Sequence, residues 1–268
     1  MKNKLKISIL ILAGLVLFQA ASIGILWVKN ARLKKALARK PYPAATVRAA
    51  SMAAIVLDDW GYNTRNLNAL LSLKEPITIS VLPNLPYSRQ IAEQAHNNAI
   101  EVILHLPLEA HDSRKSPEKG TIYTYMERRE VLASLQRSIE SVPNIKGVSN
   151  HQGSKATEDE GLMKLLFGEF RKKNLYFLDS LVTNNSVCRR VAAETKVKFA
   201  ARSVFLDNEN NIDYIKGQLA ELLSLAKQNK FAVGIGHDRP LTIKAISQMV
   251  PEFRRQGVKL VYLSEVVK

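Results

Sequence analysis

Three histidines and three aspartates of this chain fall where its apolar runs stop. Ala54–Leu57 is followed by Asp58 and Asp59, Val102–Leu104 by His105, and Gly147–Ser149 by Asn150 and His151. Leu178 is followed by Asp179 and Ser180, and Gly234–Gly236 by His237. Two adjacent carboxylates repel each other, so a strand end that carries both needs a cation, a hydrogen-bond donor or a shared proton. One of the pair can then bind a metal while its neighbour acts as a base. His105 and Glu109, four residues apart in an extended segment that contains Pro107, can share one metal. His96, on a predicted helix, and His111, in a predicted loop, read as solvated side chains. The single cysteine, Cys188, excludes an intramolecular disulfide framework and any cysteine-rich zinc or iron–sulfur site. A metal here must therefore use imidazole and carboxylate.

The elements that position these groups follow from hydrophobic periodicity. Short apolar runs predict strands near 53–58, 77–82, 100–105, 145–149, 175–179, 198–205, 231–236 and 258–263. Helical periodicity covers 64–73, 86–98, 127–141, 157–173, 211–228 and 241–256. Thr157 with Glu160 predicts a capping box at the start of the fourth of these helices. Such alternation implies an α/β fold, a parallel sheet covered by helices. No glycine-rich phosphate fingerprint follows the first strand and no Walker sequence occurs, which favours a barrel over an open doubly wound sheet. In either architecture ligands bind at the carboxyl ends of the strands, where the acids and imidazoles above are found.

The formal charge of +15 over 268 residues is unevenly spread. Residues 1–40 hold nine Lys/Arg and no acid, so the remainder has the balance of an ordinary soluble domain. That distribution, and the lack of an aromatic–basic groove motif, argue against nucleic acid as a partner. Ile7–Val28 is uncharged, and as a helix it would span roughly 33 Å, enough to cross a bilayer. It is longer than the apolar region of a cleaved signal, and Ala20–Ala21–Ser22 lies in its middle, so the expectation is an uncleaved single-pass membrane anchor. Residues 1–40 are thus read as an anchor with a basic flank, 41–51 as a linker containing Pro41 and Pro43, and 52–268 as the domain.

The ordered series Leu57–Tyr62, His105–Glu109, Asn150–Ser154, Phe177–Ser180 and Ile235–His237 resembles the divergent polysaccharide deacetylase family over about residues 52–268. This family is a distant branch of the superfamily that contains carbohydrate esterase family 4. The resemblance implies a distorted parallel β/α barrel of about seven strands with a divalent-metal deacetylase site at its mouth. It implies Asp58 as the base, Asp59 and His105 as metal ligands and His237 as the acid beside the leaving group. In the esterases two further ligands come from a His-x-x-x-His motif, whose second histidine is matched here by Glu109. Either Glu109 or His151 then completes the set, with Zn²⁺ the expected ion. Asn150–His151 stands where the esterases have an Arg–Pro-rich motif. Asn150 or backbone N–H groups would stabilise an oxyanion, Asp179 would orient a histidine, and Ser180 lies beside it. The implied function is a metal-dependent carbohydrate hydrolase that removes acetyl groups from polysaccharide or peptidoglycan-type glycans. The domain would then be held at the cytoplasmic membrane and face the periplasm or the exterior. The alternative is a catalytically inactive envelope protein that binds glycan or a protein partner.

Overall fold

A computed structural model describes residues 51–268 apart from Ser113 and Lys115. The expected anchor, 1–40, lies outside the described residues, as does the linker but for Ser51, which is already the first residue of a strand. Among the described residues no helix is long and apolar enough to cross a membrane.

Strand and helix alternate in the order β1 (Ser51–Trp60), α1 (Leu67–Ser72), β2 (Ile77–Val81), α2 (Ser88–Asn97), β3 (Glu101–Leu108), α3 (Arg128–Ser141) and β4 (Gly147–Gln152). There follow α4 (Glu160–Lys172), β5 (Tyr176–Asp179), α5 (Cys188–Thr195), β6 (Phe199–Ala201), β7 (Val204–Phe205), α6 (Ile212–Asn229), β8 (Phe231–His237), α7 (Pro240–Arg255) and β9 (Val258–Val261). Every strand pairing is parallel. The sheet runs β6-β5-β4-β3-β2-β1-β8-β7, with β9 on β1. Since Met52–Ala54 pair with both β8 and β9, these two strands flank opposite edges of β1, and β2 takes over from β9 at Ile55.

The predicted strand at 198–205 is broken in two, so the eight predicted runs become nine strands, more than the seven or so that the family resemblance implies. The break is where the chain changes partner: the Arg202 N–H donates to Asp179 O of β5, and the Ser203 N–H to Val233 O of β8. The two edge strands of the sheet are thus consecutive in the chain, and the sheet curls. Helix α5 had no counterpart among the predicted helices. The fourth predicted helix starts three residues late: Asp159 caps α4 by accepting from the Leu162 N–H, while the Thr157 hydroxyl donates to Gly153 O.

Curling gives the sheet two apolar faces and the protein two cores. Ala53, Ile55 and Leu57 of β1 face the helices with Val102 and Leu104 of β3, whereas Ala54 and Val56 face inward with Ile103, Leu178, Val233 and Ile235. Side chains alternate along a strand. Continuing the inner set by two residues leads to Asp58 on β1, His105 on β3 and His237 on β8. Ser149 and His151 share the inner parity on β4. The polar groups of the mouth therefore cap the inner core.

Candidate functional site

Asp58 ends the inner row of β1 and is buried, at 4% exposure. A regular strand would turn the next side chain outward. Instead the pairing with β2 shifts between Leu57 and Trp60, a bulge, and Asp59 takes a positive φ of 65°. Aspartate tolerates this left-handed conformation better than most residues, and it brings Asp59 back over the mouth. Asp59 Oδ1 lies 3.3 Å from His105 Nε2 and 3.1 Å from His151 Nδ1, and Asp59 Oδ2 lies 3.8 Å from His237 Nε2. The His105 and His151 rings meet edge to face with centroids 5.0 Å apart.

One ligand atom each from Asp59, His105 and His151 falls within 4.8 Å of the others, a grouping that can hold a metal ion. Asp58 Oδ2 is 3.6 Å from His105 Nε2, and Asp58 Oδ1, though buried, has no hydrogen-bond partner among the described residues. Burial pushes the Asp58 pKa above the ordinary carboxylate value and Asp59 adds to this, against the pull of His105 and His237. Burial acts on Asp59 too, but hydrogen bonds and charge from His105 and His151 outweigh it and hold that carboxyl well below the usual range. Burial would lower the pKa of His105, yet Asp58 and Asp59 raise it.

His237 is held from behind. Its Nδ1 lies 2.8 Å from Asp207 Oδ1, and its backbone N–H donates to Asp207 Oδ2, which also accepts from the Thr242 hydroxyl. Asp207 is fully buried. Burial alone would lower the His237 pKa, but Asp207 overrides it and the net shift is upward. Sequence reasoning missed Asp207, although a signal existed: it follows the predicted strand 198–205 by two residues, so the strand-end rule reaches it.

The remaining candidates are engaged elsewhere. Both oxygens of the Glu109 carboxylate are taken, Oε2 by the N–H and hydroxyl of Thr124 and Oε1 by Lys155 Nζ at 2.9 Å, and Glu109 is not part of the cluster. The Asn150 amide donates to Gln152 O and accepts from the Ser180 N–H, and Ser180 Oγ donates back to Asn150 O. This pair ties β4 to β5. Asp179 shares the outer parity of Phe177 and accepts from the Leu181 N–H and the Ser186 hydroxyl; it contacts no histidine. His111 is exposed and pairs with Glu158.

Among the described residues, the large exposed hydrophobic side chains, Tyr62, Tyr87, Tyr125, Leu181 and Val182, lie on loops that leave the carboxyl ends of β1, β2, β3 and β5. Tyr62 reaches Glu118 through its hydroxyl, and Tyr125 stacks on Tyr123 with centroids 5.1 Å apart.

Curled parallel β/α sheets of this kind recur among solved deacetylase structures. The fold is similar to the catalytic domain of a peptidoglycan N-acetylglucosamine deacetylase from Eubacterium rectale (TM-score 0.54, 16% identity, 82% of this chain and 94% of that one). An uncharacterized protein of Agrobacterium tumefaciens C58 is nearer (TM-score 0.75, 22% identity, 81% of this chain and 89% of that one). In sequence, the uncharacterized protein YibQ of Escherichia coli K12 is 38% identical over 197 residues, 74% of this chain but only 61% of its own length. The chain belongs to the divergent polysaccharide deacetylase family, whose profile matches residues 55–267.

Proposed function

We propose that this protein is a metal-dependent hydrolase that removes acetyl groups from N-acetylated envelope glycans. The observation that carries the reading is the convergence of Asp59, His105 and His151 beside a buried carboxylate, Asp58, with an unpaired oxygen. Two imidazole nitrogens and one carboxylate oxygen match the donor preference of Zn²⁺ and leave a coordination position open. When bound there, such an ion lowers the pKa of a water ligand and polarises an acyl carbonyl.

The chain's own residues supply the rest. Asp59, His105 and His151 hold the ion. Asp58, next to Asp59 in the chain and facing His105, accepts a proton from the attacking water. His237 donates a proton to the departing sugar amine from Nε2, because Asp207 engages Nδ1 and aims the other nitrogen at the site. The exposed tyrosines of the rim offer apolar faces to the sugar rings of a glycan. The uncharged run Ile7–Val28 supports a single-pass anchor in the cytoplasmic membrane, with the domain on its outer side.

Acetate release from N-acetylated chitooligosaccharide or peptidoglycan by the Zn²⁺-loaded full chain tests this reading. Release is expected, and Asp58→Asn should abolish it while Zn²⁺ affinity stays within about threefold, since Asp58 is assigned as base and not as ligand. A chain that takes up no divalent ion and releases no acetate overturns the proposal. Glycan retention without release would instead establish a binding protein.

A further inference from the structure

Among the described residues, His105 has at its other nitrogen neither a carboxylate nor a backbone carbonyl, the partners a metal-binding histidine usually has there. Its Nδ1 lies 2.8 Å from the Ser149 hydroxyl, and Ser149 Oγ lies 2.6 Å from Ser80 Oγ. Both serines are fully buried. They come from β4 and β2, the strands on either side of β3, and share with His105 the inward parity of the curled sheet. The inner core beneath is apolar, and a hydroxyl there is costly unless hydrogen-bonded. Asp58 stands on β1, the strand next to β2 on the other side.

Each hydroxyl has one hydrogen, so this chain can point only one way at a time. If the neutral imidazole carries its hydrogen on Nε2, toward Asp59, Ser149 must donate to Nδ1. If it carries the hydrogen on Nδ1, that N–H donates to Ser149, and Ser149 donates to Ser80. Only the second direction frees the Nε2 lone pair, which lies 3.3 Å from Asp59 Oδ1 and is the atom that must meet an ion.

We infer that Ser149 and Ser80 form a hydroxyl relay that fixes His105 with its Nε2 lone pair toward Asp59 and so sets the affinity of the site for a divalent ion. They are positioning residues, not ligands. The inference rests on the metal reading above but can fail without it.

Calorimetric titration of the full chain with Zn²⁺ alone tests the relay. Ser149→Ala is expected to weaken binding about 10–100-fold, the usual effect of losing an outer partner of a metal ligand. Ser80→Ala should weaken it about 3–10-fold by leaving Ser149 without its acceptor. Because the two act in series, the double variant should bind no more weakly than Ser149→Ala alone. Ring ¹⁵N shifts of His105 in the Zn²⁺-loaded wild type should report protonation at Nδ1. Wild-type affinity in Ser149→Ala, or losses that multiply in the double variant, would overturn the relay and leave the metal reading intact. A wild-type chain that takes up no Zn²⁺ would overturn both.

Discussion

The two poles of the sheet differ in almost every respect. At the carboxyl ends of the strands lie Asp58, Asp59, His105, His151, Asp207 and His237, linked by long connections such as residues 109–127, and here too are the exposed tyrosines. At the amino ends the connections are short and cations outnumber acids: Lys74, Lys146, Lys173, Lys196, Lys198 and Lys230 each stand within three residues of a following strand, against Glu75 and Glu101. Lys146, Lys196 and Lys198 line a cleft of about 410 Å³ with Arg171. Lys196 and Lys230 end α5 and α6 in the left-handed conformation, at φ 58° and 70°. The charge difference follows from the helices. In a parallel β/α fold every helix ends at the pole where strands begin, and cations there complement the negative end of the helix dipole. Glu130, Glu160 and Asp213 occupy first turns at the opposite pole for the same reason. A basic surface can thus arise from helix polarity without a ligand, whereas the buried acids and imidazoles of the other pole have no such local cause.

The largest effect is expected at Asp207, behind His237. Asp207→Asn should leave Zn²⁺ affinity nearly unchanged but lower acetate release about 100-fold, the scale of one positioned acid–base group. Equal turnover in wild type and variant would show that His237 needs no orientation from behind.

A smaller effect is expected at Glu109, whose ion pair with Lys155 joins the start of the long loop after β3 to the connection after β4. Burial tends to raise the Glu109 pKa, but Thr124 and Lys155 outweigh it and the net shift is downward. A folded-state pKa below the unfolded value means stability that is present above about pH 4.5 and lost as pH falls through the lower folded value. Glu109→Gln should therefore cost about 1 kcal/mol near neutral pH, with the difference from wild type shrinking as the solution is acidified below that value. Urea midpoints between pH 7 and pH 3 measure it, and a pH-independent difference would contradict the assignment.

The smallest effect should come from the basic pole. Combined Lys146→Gln, Lys196→Gln and Lys198→Gln should leave Zn²⁺ affinity and turnover within about twofold and change stability by about 0.5 kcal/mol or less per site. A large loss of activity would mean that the poles are coupled and that the cations have a task beyond the helix ends.

How far the site was legible in the sequence depends on the kind of information each residue needed. Strand-end position and alternation are local properties, so Asp58, His105, His151 and His237 could be picked out along the chain, and all eight predicted strands occur. The split at Arg202–Ser203 could not be read, because it arises when one extended segment leaves β5 for β8. The short helix α5 escaped because only Cys188, Val191 and Ala192 of its eight residues are buried, too few to establish a period.

Which side chains stand at the carboxyl ends and which share the inner face is written into the order of residues, since both follow from the two-residue repeat of a strand. Which of them meet is set by the folded sheet. It turned Asp59 inward through a bulge, engaged Glu109 with Thr124 and Lys155 and left His151 beside Asp59, bound Asn150 to Ser180, and set Asp207 behind His237. Those outcomes depend on register and curl between strands far apart in the chain, and no local pattern of residue types encodes that distance.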